Sequence, residues 1–293
     1  MHTDRNSIKR NILNFTPIFV IEPFDEDTGF FRFADALRRY GQEVIEIPSD
    51  YPIHTDIDRK IKEMSESRPL IIQSSFEFVK GFPRGTFIDF YDQDRFIFSK
   101  YVDHVKDFLL NKDFIILRKS FLKRCYHDIF NLFCKDNIKR MFIRPDAGNK
   151  TFSGFVIMDH PDVKSPYRFE KEATELLSFE IDELVVISAP KKIDVEYRII
   201  IIDQEPVGVS QYRLEGFVDY KMSKLSELPV EANTLIHDVI KSLVEYQIYT
   251  LDICKSNGSW ALIEINSFCY ASMYQVDMDT VIPAYIKFVK KNF

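Results

Sequence analysis

A chain of 293 residues with 45% hydrophobic and 29% charged residues has the composition of a folded protein of two or three compact units. Its net charge of −6 argues against a general nucleic-acid-coating role, while leaving room for a local basic pocket. No run approaches the ~20 apolar residues of a membrane span, and residues 1–6 lack the apolar core of a secretory signal, so a soluble cytoplasmic protein with neither a membrane nor a nucleic-acid partner is expected.

In chain order, Pro17 to Ile21 reads as a buried strand. Phe30 to Tyr40 has helical spacing and a stop at Gly41. Glu43 to Ile47 and Pro69 to Gln73 read as further strands, and this alternation predicts a parallel α/β unit. From Thr86 to Asn111 the pattern is aromatic-rich and mostly helical. Phe114 to Leu117 reads as a strand, and Ser120 to Asp136 as an amphipathic helix capped by Ser120. Strands are then expected at Arg140 to Arg144, Gly154 to Met158, Glu183 to Ile187, Tyr197 to Asp203 and Glu205 to Tyr212, with a helix over Pro166 to Leu177. Val230 to Tyr246 is an amphipathic helix, and Thr280 to Lys290 a helix with Pro283 inside it. The divisions drawn are 1–112, 113–187 and 188–293. The 27 phenylalanines predict an aromatic core. Cys125, Cys134, Cys254 and Cys269 form no CxxC pair and are expected as reduced thiols.

Four segments carry candidate chemistry. Tyr249 to Asp252 and Trp260 to Asn266 are short apolar runs joined by turn residues, Lys255-Ser-Asn-Gly-Ser259. Paired as a hairpin, they bring Asp252, Glu264 and Asn266 together as a hard, all-oxygen donor set of the kind Mg²⁺ takes. Phe142-Ile-Arg144-Pro-Asp-Ala-Gly148-Asn-Lys150 ends a strand in a small-residue loop, where backbone N–H groups and the two cations suit phosphate; a plain surface hairpin has the same pattern. The loop has neither the P-loop nor the dinucleotide glycine spacing. In Ile187-Ser188-Ala189-Pro190 a strand breaks, so that backbone groups leave the ladder and can read an adenine edge. Glu196 and Arg198 then share one strand face, either as a simple ion pair or as contacts to ribose and phosphate. Arg213 ends a strand and matters only if it faces the same cleft as Arg198.

These segments, in this order, resemble the ATP-grasp superfamily, and more specifically a phage and bacterial clade in which arginine replaces a nucleotide-binding lysine. The resemblance runs from Phe114 to the C-terminus through Arg144, Lys150 to Gly154, Ile193 to Arg198, Ser210 to Arg213, Leu251-Asp252, Ile263 to Asn266 and a segment holding Tyr274 and Asp277. It implies an α/β (α+β) ATP-grasp fold preceded by an α/β pre-grasp domain. It implies ATP and Mg²⁺ as cofactors. Arg144 and Lys150 are then expected on the phosphates, Ile187, Ser188 and Ala189 around adenine, and Glu196 near the ribose. Arg198 and Arg213 are expected at the phosphoryl group and the acyl phosphate, and Asp252, Glu264 and Asn266 on the metal. Two departures stand out: the loop has only Gly148 and Gly154, and Thr250 stands where several ligases of the superfamily keep arginine.

The activity so implied is an ATP-dependent carboxylate–amine ligase that forms an amide through an acyl phosphate, with small-molecule or peptide substrates. The alternatives are a non-catalytic nucleotide-binding or partner-recruiting protein and a kinase on the same fold. Phe76, Phe78, Lys80, Arg84 and Asp92 fall in loops of the N-terminal part that are candidates for an acceptor pocket; spacing assigns none of them.

Overall fold

Residues 16–22, 29–48, 55–74, 78, 81–83, 86, 93–133, 139–148, 152–159 and 182–292 are described by a computed structural model. Chain contacts divide it into two units, one formed by 1–92, 195–253 and 264–293, the other by 93–194 and 254–263.

In the first unit, β1 (Ile18–Ile21) is buried along its whole length. Helix α1 (Phe30–Arg39) follows, then β2 (Glu43–Glu46), α2 (Thr55–Ser67) and β3 (Leu70–Gln73). The sheet order is β2-β1-β3 with both pairs parallel, placing Val20 beside Ile45 and Ile72. Phe33, Ala36 and Leu37 turn one stripe of α1 inward, while Arg38 and Arg39 lie in its last turn, where the helix dipole favours cations. Helix α2 was not foreseen, because only Ile57, Ile61 and Met64 interrupt its polar sequence; their spacing is helical, and all three pack on the β1–β3 core. Phe78 belongs to that core, its ring 4.9 Å from Phe82, and is therefore no pocket residue. Phe76, Lys80, Arg84 and Asp92 fall outside the described residues, as does the helix expected over Pro166 to Leu177.

The second unit opens with α3 (Phe98–Val105), preceded by a short 3-10 turn at Gln93–Phe96. It continues with β4 (Phe114–Arg118), α4 (Lys119–Phe133), β5 (Lys139–Pro145), β6 (Phe155–Asp159) and β7 (Leu184–Ser188). These strands form an antiparallel sheet ordered β4-β7-β5-β6. Leu122, Ile129 and Phe130 of α4 cover it by packing on Met141, Ile143, Val185 and Ile187. Ser120 does not cap this helix. It lies within the first turn, and the Asp182 carboxylate accepts both its N–H, at 3.0 Å, and its hydroxyl, at 3.1 Å.

The remaining elements are β8 (Val195–Ile202), β9 (Glu205–Leu214), β10 (Phe217–Ser223), α5 (Val230–Ser242), β11 (Ile248–Ser256), β12 (Ser259–Ser267) and α6 (Met278–Asn292). The strands make a five-stranded sheet ordered β10-β9-β8-β11-β12. β11 and β12 are longer than the sequence suggested, and only Asn257 and Gly258 turn between them, with φ of 48° and 80°. That left-handed pair suits a two-residue hairpin turn, and so an antiparallel pairing. β10 had no sequence signal: its alternation is broken by a register shift between Val218 and Lys221, and it is an edge strand. Helix α6 is continuous through Pro283 and closes the core of the first unit. The Tyr285 ring lies 5.7 Å from Phe19, 5.6 Å from Phe33 and 5.0 Å from Phe268.

Candidate functional site

In the first unit, β8, β11 and β12 bring one set of charged side chains together. Arg198, from the interior of β8, makes a two-point ion pair with Asp252 of β11, Nε to Oδ1 and Nη2 to Oδ2, both at 2.7 Å. Arg198 is 4% exposed and Asp252 2%. Its third contact, Nη1 to the Ser272 carbonyl at 3.0 Å, ties the pair to the segment after β12. Asn266 of β12, also buried, donates from Nδ2 to Asp252 Oδ2 at 3.4 Å and to Glu264 Oε1 at 3.1 Å. Asp252, Glu264 and Asn266 therefore converge as the hairpin predicted, with Arg198 as a fourth member. Burial works against the Arg198 charge, but Asp252 more than reverses this and holds the guanidinium above its ordinary range.

Three tyrosines flank this cluster, and the sequence reading had not singled them out as a group. Tyr212 and Tyr274 stack with centroids 5.0 Å apart, and Tyr274 stacks in turn with Tyr220 at 5.1 Å. The Arg198 guanidinium lies over the Tyr274 ring at 4.9 Å and the Tyr212 ring at 5.8 Å. Tyr274 is left-handed, with φ of 45°, and Arg32 of α1 donates to its carbonyl. A Cβ on Gly29 would stand 2.6 Å from that carbonyl, so only glycine fits at the start of α1. The sequence signal for this arrangement was weak, because aromatic residues at 212, 220 and 274 share no local period.

Glu196 is buried and stands directly opposite Arg213 on the neighbouring strand. Burial pushes its carboxyl above the usual carboxylate range, and Asp252 and Glu264 push the same way; the Tyr212 hydroxyl, which donates to it, and Arg213 pull it down. Arg213 is exposed. It shares a neighbourhood with Arg198 nonetheless: burial raises the Tyr274 phenol, and both arginines lower it.

In the second unit, Arg144 comes near the end of β5, half-buried, with its guanidinium carbon 4.4 Å above the Phe98 ring and Nη2 donating to the Tyr101 hydroxyl at 3.2 Å. Lys150 lies outside the described residues. Ile187 and Ser188 are the last residues of β7 and stay in register with both β4 and β5. The break foreseen at Ser188 therefore begins one residue later, at Ala189, where the ladder stops and the backbone is released. Lys119 is buried against Glu183 and lies 5.0 Å from the Phe152 ring.

The profile of an ATP-grasp domain, the second family of its clade, matches residues 120–284, more than half of the chain. The chain belongs to that ATP-grasp family. Three solved structures agree with this fold. D-alanine–D-alanine ligase from Bacillus anthracis aligns with a TM-score of 0.55 at 14% identity, covering 95% of this chain and 99% of that one. The ATP-grasp ligase PsnB, complexed with its minimal precursor, gives 0.53 at 11% identity, covering 94% and 99%. A RimK domain ATP-grasp protein from Sphaerobacter thermophilus gives 0.53 at 9%, covering 94% and 98%. At these identities the likeness establishes the fold alone. A search of curated protein sequences finds no match.

The donor set of this ATP-grasp protein suits a hard divalent cation. Among the described residues, no three His, Cys, Asp or Glu side chains form a metal cluster. The candidate set is instead two carboxylates and the Asn266 amide, whose Nδ2 faces both carboxylates here, so that its oxygen would join them on a cation with the amide turned over. Arg198 takes one lone pair on each Asp252 oxygen and Asn266 Nδ2 a second on Oδ2, so the contacts orient this ligand and leave Oδ1 a lone pair for a cation. Among the described residues, no helix is long and apolar enough to cross a membrane.

Proposed function

We propose that this ATP-grasp protein is an ATP-dependent ligase that joins a carboxylate to an amine through an acyl phosphate. The observation that carries the reading is the convergence of Asp252, Glu264 and Asn266 beside a buried arginine on three strands of one sheet. In this reading those three residues hold Mg²⁺, which supplies charge neutralisation for the triphosphate. Arg198, oriented by Asp252 and by the Ser272 carbonyl, presents fixed positive charge to the phosphoryl group as it moves to the substrate carboxylate. Arg213 adds a second cation near the same tyrosine. Glu196, whose carboxyl is favoured neutral by burial, is a candidate partner for a ribose hydroxyl.

Nucleotide recognition falls to a further set of residues. Arg144 and Lys150 serve the phosphates, while Ile187, Ser188 and Ala189 bound the adenine, with the released backbone from Ala189 onward reading its edge. The chemistry then needs position and charge more than a protein nucleophile. The acceptor classes supported are small carboxylates and amines or peptides, and delivery of ATP to a soluble site accords with a cytoplasmic protein.

Calorimetric titration with Mg²⁺ and a non-hydrolysable ATP analogue tests the reading. The wild-type chain should bind, and Glu264→Ala should lose the Mg²⁺-dependent part of the affinity while its thermal melting is retained, because Glu264 is only half-buried. Unchanged Mg²⁺-dependent binding in that variant would remove the metal assignment. ADP release that requires both a carboxylate and an amine supports the ligase. Binding with no ADP release from any pair favours a non-catalytic protein, and a stable phosphorylated product formed without an amine favours a kinase.

A further inference from the structure

We propose that Phe98 and Tyr101 are positioning residues that make position 144 specific for arginine, so that α3 fixes the plane of the guanidinium that meets a nucleotide phosphate. This rests on the nucleotide-binding reading above. Phe98 and Tyr101 are three residues apart on α3, hence neighbours on one helix face, and their rings meet edge to face at 5.4 Å. Phe98 also meets Phe114, 5.0 Å away and again edge to face. Both anchors are buried, so the surface on which Arg144 lies is rigid.

Asp146 grips the same turn of α3 from two residues further along. Its Oδ1 accepts the Ser99 N–H and its Oδ2 the Ser99 hydroxyl, each at 2.7 Å, and its carbonyl accepts the Phe98 N–H at 2.8 Å. The end of β5 is thus joined to the start of α3 by a ring stack, a phenol hydrogen bond and a helix cap. Gly148 continues the contact: a Cβ there would meet Phe96, just before α3, at 3.0 Å.

The chemistry of the two basic side chains explains the specificity. A guanidinium is planar and carries five N–H donors in a fixed fork. The Phe98 face sets the plane of that fork, and the Tyr101 oxygen sets its rotation within the plane. A lysine ammonium is a point charge with no plane to set. Lysine at 144 would keep the charge and lose both constraints, so its phosphate contact would cost more side-chain entropy to form.

A double-mutant cycle on the full chain, read by calorimetric titration with Mg²⁺ and a non-hydrolysable ATP analogue, tests this. Arg144→Lys should weaken binding about tenfold and Tyr101→Phe about threefold, less than the full worth of a hydrogen bond to a charged group because the phenol orients the guanidinium in the free and the bound chain alike. The combined variant should be no weaker than Arg144→Lys alone, because lysine gains nothing from the phenol. Phe98→Leu should behave as Tyr101→Phe does; should it fail to fold, the Tyr101→Phe cycle, which removes one oxygen from a packed ring, decides alone. Full affinity in Tyr101→Phe, or losses that add in the combined variant, would overturn the proposal. A wild-type chain that binds no nucleotide would overturn it together with the reading of the site, whereas wild-type binding that Arg144→Ala weakens and Tyr101→Phe does not would leave the site standing and remove only the positioning role.

Discussion

Each unit of this protein fixes one arginine in a different way. Arg198 is buried and held by a carboxylate through two hydrogen bonds. Arg144 is half-buried and held by the face of a phenylalanine and the oxygen of a tyrosine. In the first arrangement charge is balanced against charge in a poorly solvated place, so the two partners depend on each other for stability. In the second, shape does the fixing, and the interaction energy is that of a ring face and one neutral acceptor. Loss of a partner should therefore threaten the fold in the first unit and the geometry in the second.

The largest expected effect breaks the ion pair. Asp252→Ala leaves Arg198 buried without its carboxylate and should cost about 3–5 kcal/mol of stability by urea unfolding. Arg198→Met combined with Asp252→Leu should recover much of that loss. A small cost for Asp252→Ala would mean that the two arginines are held more alike than argued. A different load on the first unit comes from Gly208, where an added Cβ would lie 2.5 Å from Val276 Cγ2 and 2.7 Å from Val281 Cγ2. Gly208→Ala should then cost about 1–3 kcal/mol by overpacking, measurable as a lower urea midpoint with an unchanged slope.

A smaller effect is expected in the second unit. Asp146→Ala removes the cap of α3 and should cost about 1 kcal/mol, with a larger proportional loss of nucleotide affinity, since the cap also anchors the residues that follow Arg144. The subtlest test concerns Glu196. Burial raises its carboxyl, so the folded chain takes up this proton more readily than the unfolded chain. Its contribution to stability is full below the ordinary carboxylate range and is lost as the pH rises through the raised value. Glu196→Gln should therefore gain in melting temperature relative to the wild type as the pH rises from the ordinary carboxylate range through the raised value. A constant difference across that range would show that the carboxyl is not shifted.

The hairpin of β11 and β12 was legible in the sequence because its parts are local: two apolar runs, turn residues between them and oxygens spaced two apart. Its counterpart β10 was not, since an edge strand with a bulge has no side-chain period to read. Helix α2 had a signal in Ile57, Ile61 and Met64, diluted by the charged residues around them. Among the site residues, the meeting of Asp252, Glu264 and Asn266 followed from strand pairing alone. The partners that orient the arginines did not: Tyr274 is 76 residues from Arg198 in number and reaches it through a left-handed turn, and Phe98 reaches Arg144 from another element. Long-range side-chain packing leaves little local trace in a single sequence. The break at Ala189 shows the finer limit, since Ser188 has the composition of a turn residue but is kept in its ladder by strands on both sides.

The closing position of α6 has a consequence for how the chain is made. Phe19 and Phe33 are synthesised early, yet the rings that cover them, Phe268 and Tyr285, come from the far end of the sequence. On a ribosome β1 and α1 emerge with their apolar faces bare and wait for more than two hundred further residues before the segments that bury them appear. The second unit, nearly continuous in sequence, has its own apolar cluster and can form in the interval, so that β1 and α1, translated before it, are completed after it.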